Sequence, residues 1–398
     1  MTATPTLATG SETPAAPAGL CPYATPATSP AEGEPVFTLA GNGVGTWRLT
    51  RPADVRAVLD DPVSFTSRRG PASPPPGPAG RGILPTAEGM FVQHDGPAHL
   101  DYRRLLAREF SAVRTSTATP RITAIAEQCL EDMVRAGAPA DLVAQYALPL
   151  SSQAVCAVVG VPWEVHGAQM LEVFADQDLS NADLNSTTSG VDHFLRGLAR
   201  DVLAEPARHP GLLGRIAVQG LPDRPLGEAE LAGIAKLLLM PGHVSPTYML
   251  ALSVLTLVQE QPAWYAELAA DPDCAPDVVE ELLHHITIKQ YGLTRRAVRD
   301  TKVGGVLIRA GQWVNCSLDS PADELTAFTP GARPATHLAF GHGPHQCLGQ
   351  HLSRTVLACG LTVLARHLPN LRLATGPESL GWRTTHTVAG VTQLAVTW

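Results

Sequence analysis

Aromatic residues make up only 5% of the chain and charged residues 17%, and no run of lysines and arginines occurs in it. With a formal net charge of −8, there is no basic footprint for a phosphate backbone or an anionic membrane surface, so neither nucleic acid nor a membrane is expected as a partner. Paired cysteines are missing too. The seven present, at 21, 129, 156, 274, 316, 347 and 359, are odd in number and scattered, with no CxxC pair and no zinc-finger spacing. Reduced thiols of a cytoplasmic protein are the expectation. The amino terminus lacks a basic start and an apolar core, which argues against a signal peptide. Residues 1–34 are expected to form a flexible Pro/Thr/Ala-rich tail ahead of one domain, 35–398. Long apolar runs are scarce. Only Ile234 to Val258 raises the question of a membrane span, and Lys236, His243 and two prolines within it predict a buried helix instead.

What is present is bulk: 398 residues, 44% of them apolar, can bury a sizeable core. Gly41-Asn42-Gly43 between β-rich runs predicts a hairpin, and Thr50 with Pro52 predicts a short helix through Leu59. Ser67 to Pro97 is crowded with proline and glycine and is too long for an ordinary connector, so a functional or mobile loop is expected. From Pro97 to about Leu257 the apolar spacing is mostly helical, and Val303 to Leu318 reverts to short strands. A helix beginning near Pro276 buries Val278, Val279, Leu282 and Leu283; another follows Gly349 and ends by Pro369.

The densest chemistry lies in "FGHGPHQCLG", Phe340 to Gly349, where one cysteine sits in a glycine-rich loop entering that last helix. Backbone N–H groups at a helix start stabilise an anionic sulfur, and the glycines let another object approach the backbone. An inert thiol explains neither feature, and a redox thiol lacks a resolving cysteine nearby. A soft metal ligand fits better. Without Cys or His co-ligands at metal spacing, Cys347 suggests the axial ligand of a haem.

Phe340, Gly341, Gly343, His345, Cys347 and Gly349 resemble the haem-binding signature of bacterial cytochromes P-450, and the resemblance runs through most of the chain. His99 and Arg103, spaced i, i+4 on one helical face, resemble the family's pair for the haem propionates. Arg295 and His337 fall where the family supplies further propionate ligands. The fold implied is mainly α: a cytochrome P-450-like helical domain with small β-sheets, its haem b buried between the long central helix and the Cys-loop helix, with Cys347 as axial thiolate.

Three departures accompany the match. The family's small-Gly-x-acid-Thr segment reads Pro241-Gly242-His243-Val244-Ser245-Pro246, so Val244 takes the position of the acid and Ser245 that of the alcohol, and the prolines are expected to kink or open the helix. The family's Glu-x-x-Arg reads Glu281 and His284, either a weak pair that depends on His protonation or a pair replaced by other packing. The stretch before the Cys loop is short, with Arg333 standing in for an arginine of the family.

The function implied is a haem-thiolate oxidoreductase, a monooxygenase acting on a small lipophilic, secondary-metabolite substrate. Ser245, His243 or a substrate hydroxyl would organise the proton-bearing water; His243 equally fills a groove. Peroxide-dependent or non-oxidative chemistry, and a catalytically silent helper of a biosynthetic partner, remain open. Leu237, Leu238, Met240 and Val244 are candidates to line the pocket, with the loop before His99 and Phe174 to Phe194 covering it. A ferredoxin with its ferredoxin reductase, or a flavoprotein, is the expected electron donor, docking near Arg104 and Arg354.

Overall fold

A computed structural model describes residues 33–39, 44–69, 85–175, 184–320, 325, 327–332, 336–383 and 386–398. Residues 1–32 of the expected tail, the Gly41-Asn42-Gly43 turn, Arg333, residues 70–84 of the Pro/Gly-rich loop and residues 176–183 of the second expected cover lie outside these residues.

Helices dominate, and the longest, Glu228–Gln259, runs through the interior. Its sequence is apolar around nearly the whole circumference, and burial follows: 78% of its most apolar 18-residue window lies inside the protein. That helix is long and apolar enough to cross a membrane, but its apolar surface is covered by protein. It packs on Leu148–Val159, Gly190–Ala204 and Gln350–His367, forming the centre of the larger hydrophobic core. Gly242 is required for one of these approaches, since a Cβ there would stand 2.5 Å from Val155 Cγ2.

Contrary to the expected opening, the helix is continuous through Pro241 and Pro246. Each proline removes one backbone bond and tends to kink a helix. Here packing on the flanking helices holds the segment, because tertiary burial rather than local bonding supplies most helical stability in proteins.

The sheets are small. A five-stranded sheet runs in the order Val36–Leu39, Gly45–Leu49, Trp313–Cys316, Leu293–Ala297, Phe65–Thr66, with the second and third strands parallel and the other pairs antiparallel. The pairing of Val36 with Arg48 and Leu39 with Gly45 is that of the expected hairpin. Leu49, Val55, Phe65, Val314 and Cys316 form a second, smaller core beneath this sheet. The short helix Pro52–Leu59 begins as expected, but Arg51, not Thr50, occupies its cap position and ties itself to Asp54 at 2.8 Å. Among the described residues all six cysteines are free.

Candidate functional site

Two helices and one loop define the site. The helix Gly96–Ala107 carries His99 and Arg103, the central helix forms a facing wall, and the Cys loop leads into Gln350–His367. The loop is held in shape by its own backbone: the Cys347 amide donates to Phe340 O at 2.8 Å, Gly341 to Leu338 O at 2.7 Å and Gln346 to Gly343 O at 2.9 Å. Gly343, at φ +70, seats the loop on the end of Pro52–Leu59, where a Cβ would meet Leu59 O at 2.5 Å. Arg103 reaches across and donates to Gln346 O at 2.9 Å.

Between these elements lies a cavity of about 370 Å³. Its walls are mostly apolar, and no carboxylate is among the described residues that line it. Cys347 lines it, together with Phe340, Gly341, His345 and Gly349 from its own loop and His99 and Arg103 from the helix opposite. The thiol is exposed to this interior space while surrounded by deep protein. Burial therefore raises its pKa, against the pull of the Gly349 amide and of the Arg103 and Arg354 charges. The helix mouth alone does not create a thiolate, as its sequence position had suggested; a metal ion bound to the sulfur would, by its own charge.

At one edge, basic side chains are crowded together. His99 and His345 stack with ring centroids 3.9 Å apart. Burial, then the charges of His345 and Arg103, pushes His99 down to about 4. Burial likewise lowers His345, although its hydrogen bond to Asp95 at 3.3 Å acts the other way. Arg295 is buried one layer behind, close enough to affect both His345 and Arg69; burial and Arg295 bring Arg69 down to about 10. The acid within this group is Asp95. Burial raises it, but hydrogen bonds from His345, Thr66 and Ser67 outweigh that and hold it well below the carboxylate range. Two imidazoles and three guanidiniums around one carboxylate suit a cofactor edge bearing two negative charges. With Cys347 on the same cavity, the residues fit a haem: the sulfur for iron, and His99, Arg103, His345 and Arg295 for the propionates.

Three expected site residues stand elsewhere. His337 opens on a different cavity, with Arg56, Asp319 and Ser320, and its Nε2 lies 3.1 Å from Glu280 Oε2. His345, not His337, lines the Cys347 cavity beside His99. His243 points away from the site: its ring stacks on Phe174 at 5.1 Å, nearly parallel, and its Nδ1 bonds Leu239 O at 2.9 Å. Burial pushes it to about 4, so it is a neutral groove-filler. Val244 is buried off the cavity, as is Met240, whereas Leu237, Leu238, Pro241, Gly242, Ser245 and Pro246 line it. A helix apolar all round carries no periodic signal for which face opens to a site.

The brace behind the Cys loop takes the second of the two expected forms. Glu281 accepts the Thr329 amide at 2.8 Å and lies 3.7 Å from His285, while His284 meets Ser320 Oγ at 3.3 Å, so packing with other partners stands where an ion pair was one possibility. The neighbouring Glu280 does the bracing. It holds His337 and the Arg354 guanidinium, whose plane covers the Phe340 ring at 4.5 Å. Burial alone would raise Glu280; the hydrogen bonds from His337 and Arg354 bring it to about 2. Arg354 is thus tied to Glu280 while partly exposed; Arg104 is exposed and pairs with Asp101. Asp95, Glu280 and Arg69 were missed from sequence. Asp95 directly precedes the helix of His99, where a capping role would have been the ordinary guess.

No family model matches the chain. It is 37% identical to cytochrome P-450 105A3 of Streptomyces carbophilus, over 99% of this chain and 98% of that protein. It is 36% identical to nocardicin C N-oxygenase of Nocardia uniformis, over 89% and 90%. Among solved structures, a Streptomyces peucetius cytochrome P-450 in complex with a biphenyl compound superposes with a TM-score of 0.84 at 31% identity, covering 96% of this chain and 98% of that one. Mycinamicin VIII C21 methyl hydroxylase of Micromonospora griseorubida, bound to mycinamicin VIII, superposes at 0.77 with 32% identity, covering 92% and 94%.

Proposed function

The chain belongs to the cytochrome P-450 family, an enzyme family whose cofactor is haem b on a cysteine thiolate, and from that premise we propose that it is a monooxygenase of a small lipophilic secondary metabolite. The observation that carries this reading is the cavity of about 370 Å³, apolar over most of its wall, with Cys347 on one side and Ser245 on the other. When bound, the haem supplies one-electron and dioxygen chemistry, and the thiolate pushes electron density that favours O–O cleavage.

The protein's own residues then divide the work. Cys347 would hold the metal through its sulfur, His99, Arg103 and His345 would meet the propionates with Arg295 buried behind them, and Phe340, Gly341 and Gly349 would shape the loop around the ring. Ser245 is the hydroxyl side chain of the central helix that faces the cavity, and it takes no hydrogen bond from any described residue, so it is the group available to order a proton-carrying water. Val244 relays nothing, and His243 is committed to Leu239 O. Apolar walls exclude bulk water. Relatives with names such as nocardicin C N-oxygenase and mycinamicin VIII C21 methyl hydroxylase motivate the substrate class. Electrons would come from a ferredoxin and its reductase in the cytoplasm.

The lack of a carboxylate among the described residues lining the cavity favours a second reading: oxidation driven by hydrogen peroxide, in which no relay to reduced oxygen is needed. The optical spectrum of the reduced protein under carbon monoxide, with haem content on the same sample, tests the haem site. A thiolate-type band is expected, and its absence at full haem content would overturn the ligand assignment. Product formed with ferredoxin, reductase and dioxygen supports the first reading; product only with peroxide supports the second.

A further inference from the structure

One side of the cavity is assembled from three stretches of chain far apart in sequence. Phe91 and Val92 come from the loop before His99, Leu184 from the stretch ahead of Gly190–Ala204, and Leu237 and Leu238 from the central helix. Apolar contact among such stretches is non-directional and fixes no one spacing between them. Hydrogen bonds do, because they act over a narrow range of distance and angle.

The polar contacts converge on Asn185 and Ser186, next to Leu184. On one side the Ala87 amide donates to Asn185 Oδ1 at 2.9 Å, and Thr86 Oγ1 donates to Gln93 Oε1 at 2.8 Å, closing that loop across Phe91 and Val92. On the other side Lys236 Nζ donates to Ser186 O at 2.6 Å and stands 3.9 Å from Asp192 Oδ1. Asp192 is itself fixed, with Arg196 Nε donating to its Oδ2 at 2.8 Å and its amide donating to Ser189 Oγ at 3.2 Å. The loop of Ala87 also lies on the central helix one turn before Lys236, at Gly233, where a Cβ would overlap Glu88 O. Lys236 is buried in a run that otherwise reads Ile234, Ala235, Leu237, Leu238, Leu239 and Met240. A core that needed only filling would carry another apolar residue there, since a buried ammonium is costly unless it is paired.

We propose that Lys236 is a positioning residue for ligand size: through Ser186 O and Asp192 it holds Leu184 at the cavity, Asn185 ties in the loop of Phe91 and Val92, and the cover so fixed admits compact apolar ligands and rejects bulky ones. The proposal rests on the haem and lipophilic-substrate reading above and narrows it to molecules that fit beneath a fixed cover. Lys236 and Asn185 do not line the cavity; both act through the residues that do.

Optical titration of the haem-loaded protein with 4-phenylimidazole, which is compact, and clotrimazole, which is bulky, tests this, since both bind haem iron through an imidazole nitrogen and shift its spectrum. Lys236→Met should tighten clotrimazole relative to 4-phenylimidazole by about tenfold, the scale of one charge-assisted hydrogen bond, while the dissociation constant of 4-phenylimidazole itself stays within about twofold. Asp192 keeps Arg196 in that variant, so its carboxylate stays paired. Asn185→Ala should shift the ratio the same way, and Asn185→Asp, which keeps the accepting oxygen, should hold it at the wild-type value. An unchanged ratio in Lys236→Met and in Asn185→Ala overturns the proposal, as does a parallel loss of both azoles, which marks residues that merely hold the fold. If Lys236→Met fails to take up haem, the ratio in Asn185→Ala decides alone. A wild-type protein that shifts with neither azole overturns the haem reading, and this proposal with it.

Discussion

The two walls of the cavity are built on opposite plans. The Cys-loop wall is braced at every level: its backbone bonds itself, Arg103 reaches to Gln346 O, Glu280 fixes Arg354 over Phe340, and Asp95 holds His345 against His99. The central-helix wall is bare by comparison. Ser245 is the polar side chain that this helix turns to the cavity, Pro241 and Pro246 have no backbone N–H, and His243 packs away from the cavity on Phe174. Charge and metal ligation tolerate little displacement, so the side that meets a fixed cofactor is over-determined. Apolar contact with a substrate demands only volume and a few polar points, so the facing side is free to change.

The largest effect that would break this contrast is on the braced wall. Cys347→Ala should abolish the thiolate-type band of the reduced, carbon monoxide-treated protein entirely; a variant that keeps the band would remove the premise for that wall. Behind the bare wall, where His243 packs on Phe174, pH sharpens the contrast. The His243 pKa falls to about 4 on folding, from about 6.5 unfolded, so on acidification the unfolded chain takes up the proton first. Stability fully present above about pH 6.5 is therefore lost as pH falls to about 4, by about 3 kcal/mol. His243→Phe should flatten that part of the curve of denaturant midpoint against pH, and an unaltered slope would show that the ring is not neutral packing.

Glu280→Gln should cost about 2 kcal/mol by urea unfolding, because Arg354 and His337 lose a shared anion at a half-buried site. Glu280 has its folded pKa depressed to about 2, so its contribution is present above the unfolded value of about 4.3 and disappears as pH falls toward 2. The variant should lack that acid limb, and a wild-type-like limb would move the bracing role to another pair. The smallest effect expected is at Ser245. Ser245→Ala should lower product formed per electron pair consumed by about tenfold, with the carbon monoxide spectrum unchanged. Equal coupling in the two proteins would mean that the bare wall has no relay at all and would favour peroxide-driven chemistry.

The difference between the walls also governed what was readable in advance. Cys347, its glycines, His99 and Arg103 were legible because each depends on a few adjacent residues: a loop entering a helix, or an i, i+4 pair on one face. The central helix was recognised as buried, yet His243 and Val244 were placed at the site and proved to face away, because an all-round apolar helix does not announce its open side. His337 was assigned to the propionates because it precedes the loop, and a contact 57 residues away, to Glu280, placed it elsewhere. Asp95 with His345, 250 residues apart, had no local signal at all.

Local order along the chain was thus enough to determine the family, the helical character of the fold, and the cysteine and basic pair that line one cavity. Tertiary packing decided which face of the central helix looks into the cavity, which histidine joins His99, and which carboxylate braces the loop. Those choices depend on distance between residues far apart in sequence, and hydrogen bonds and charge pairs act only over a few ångströms in space.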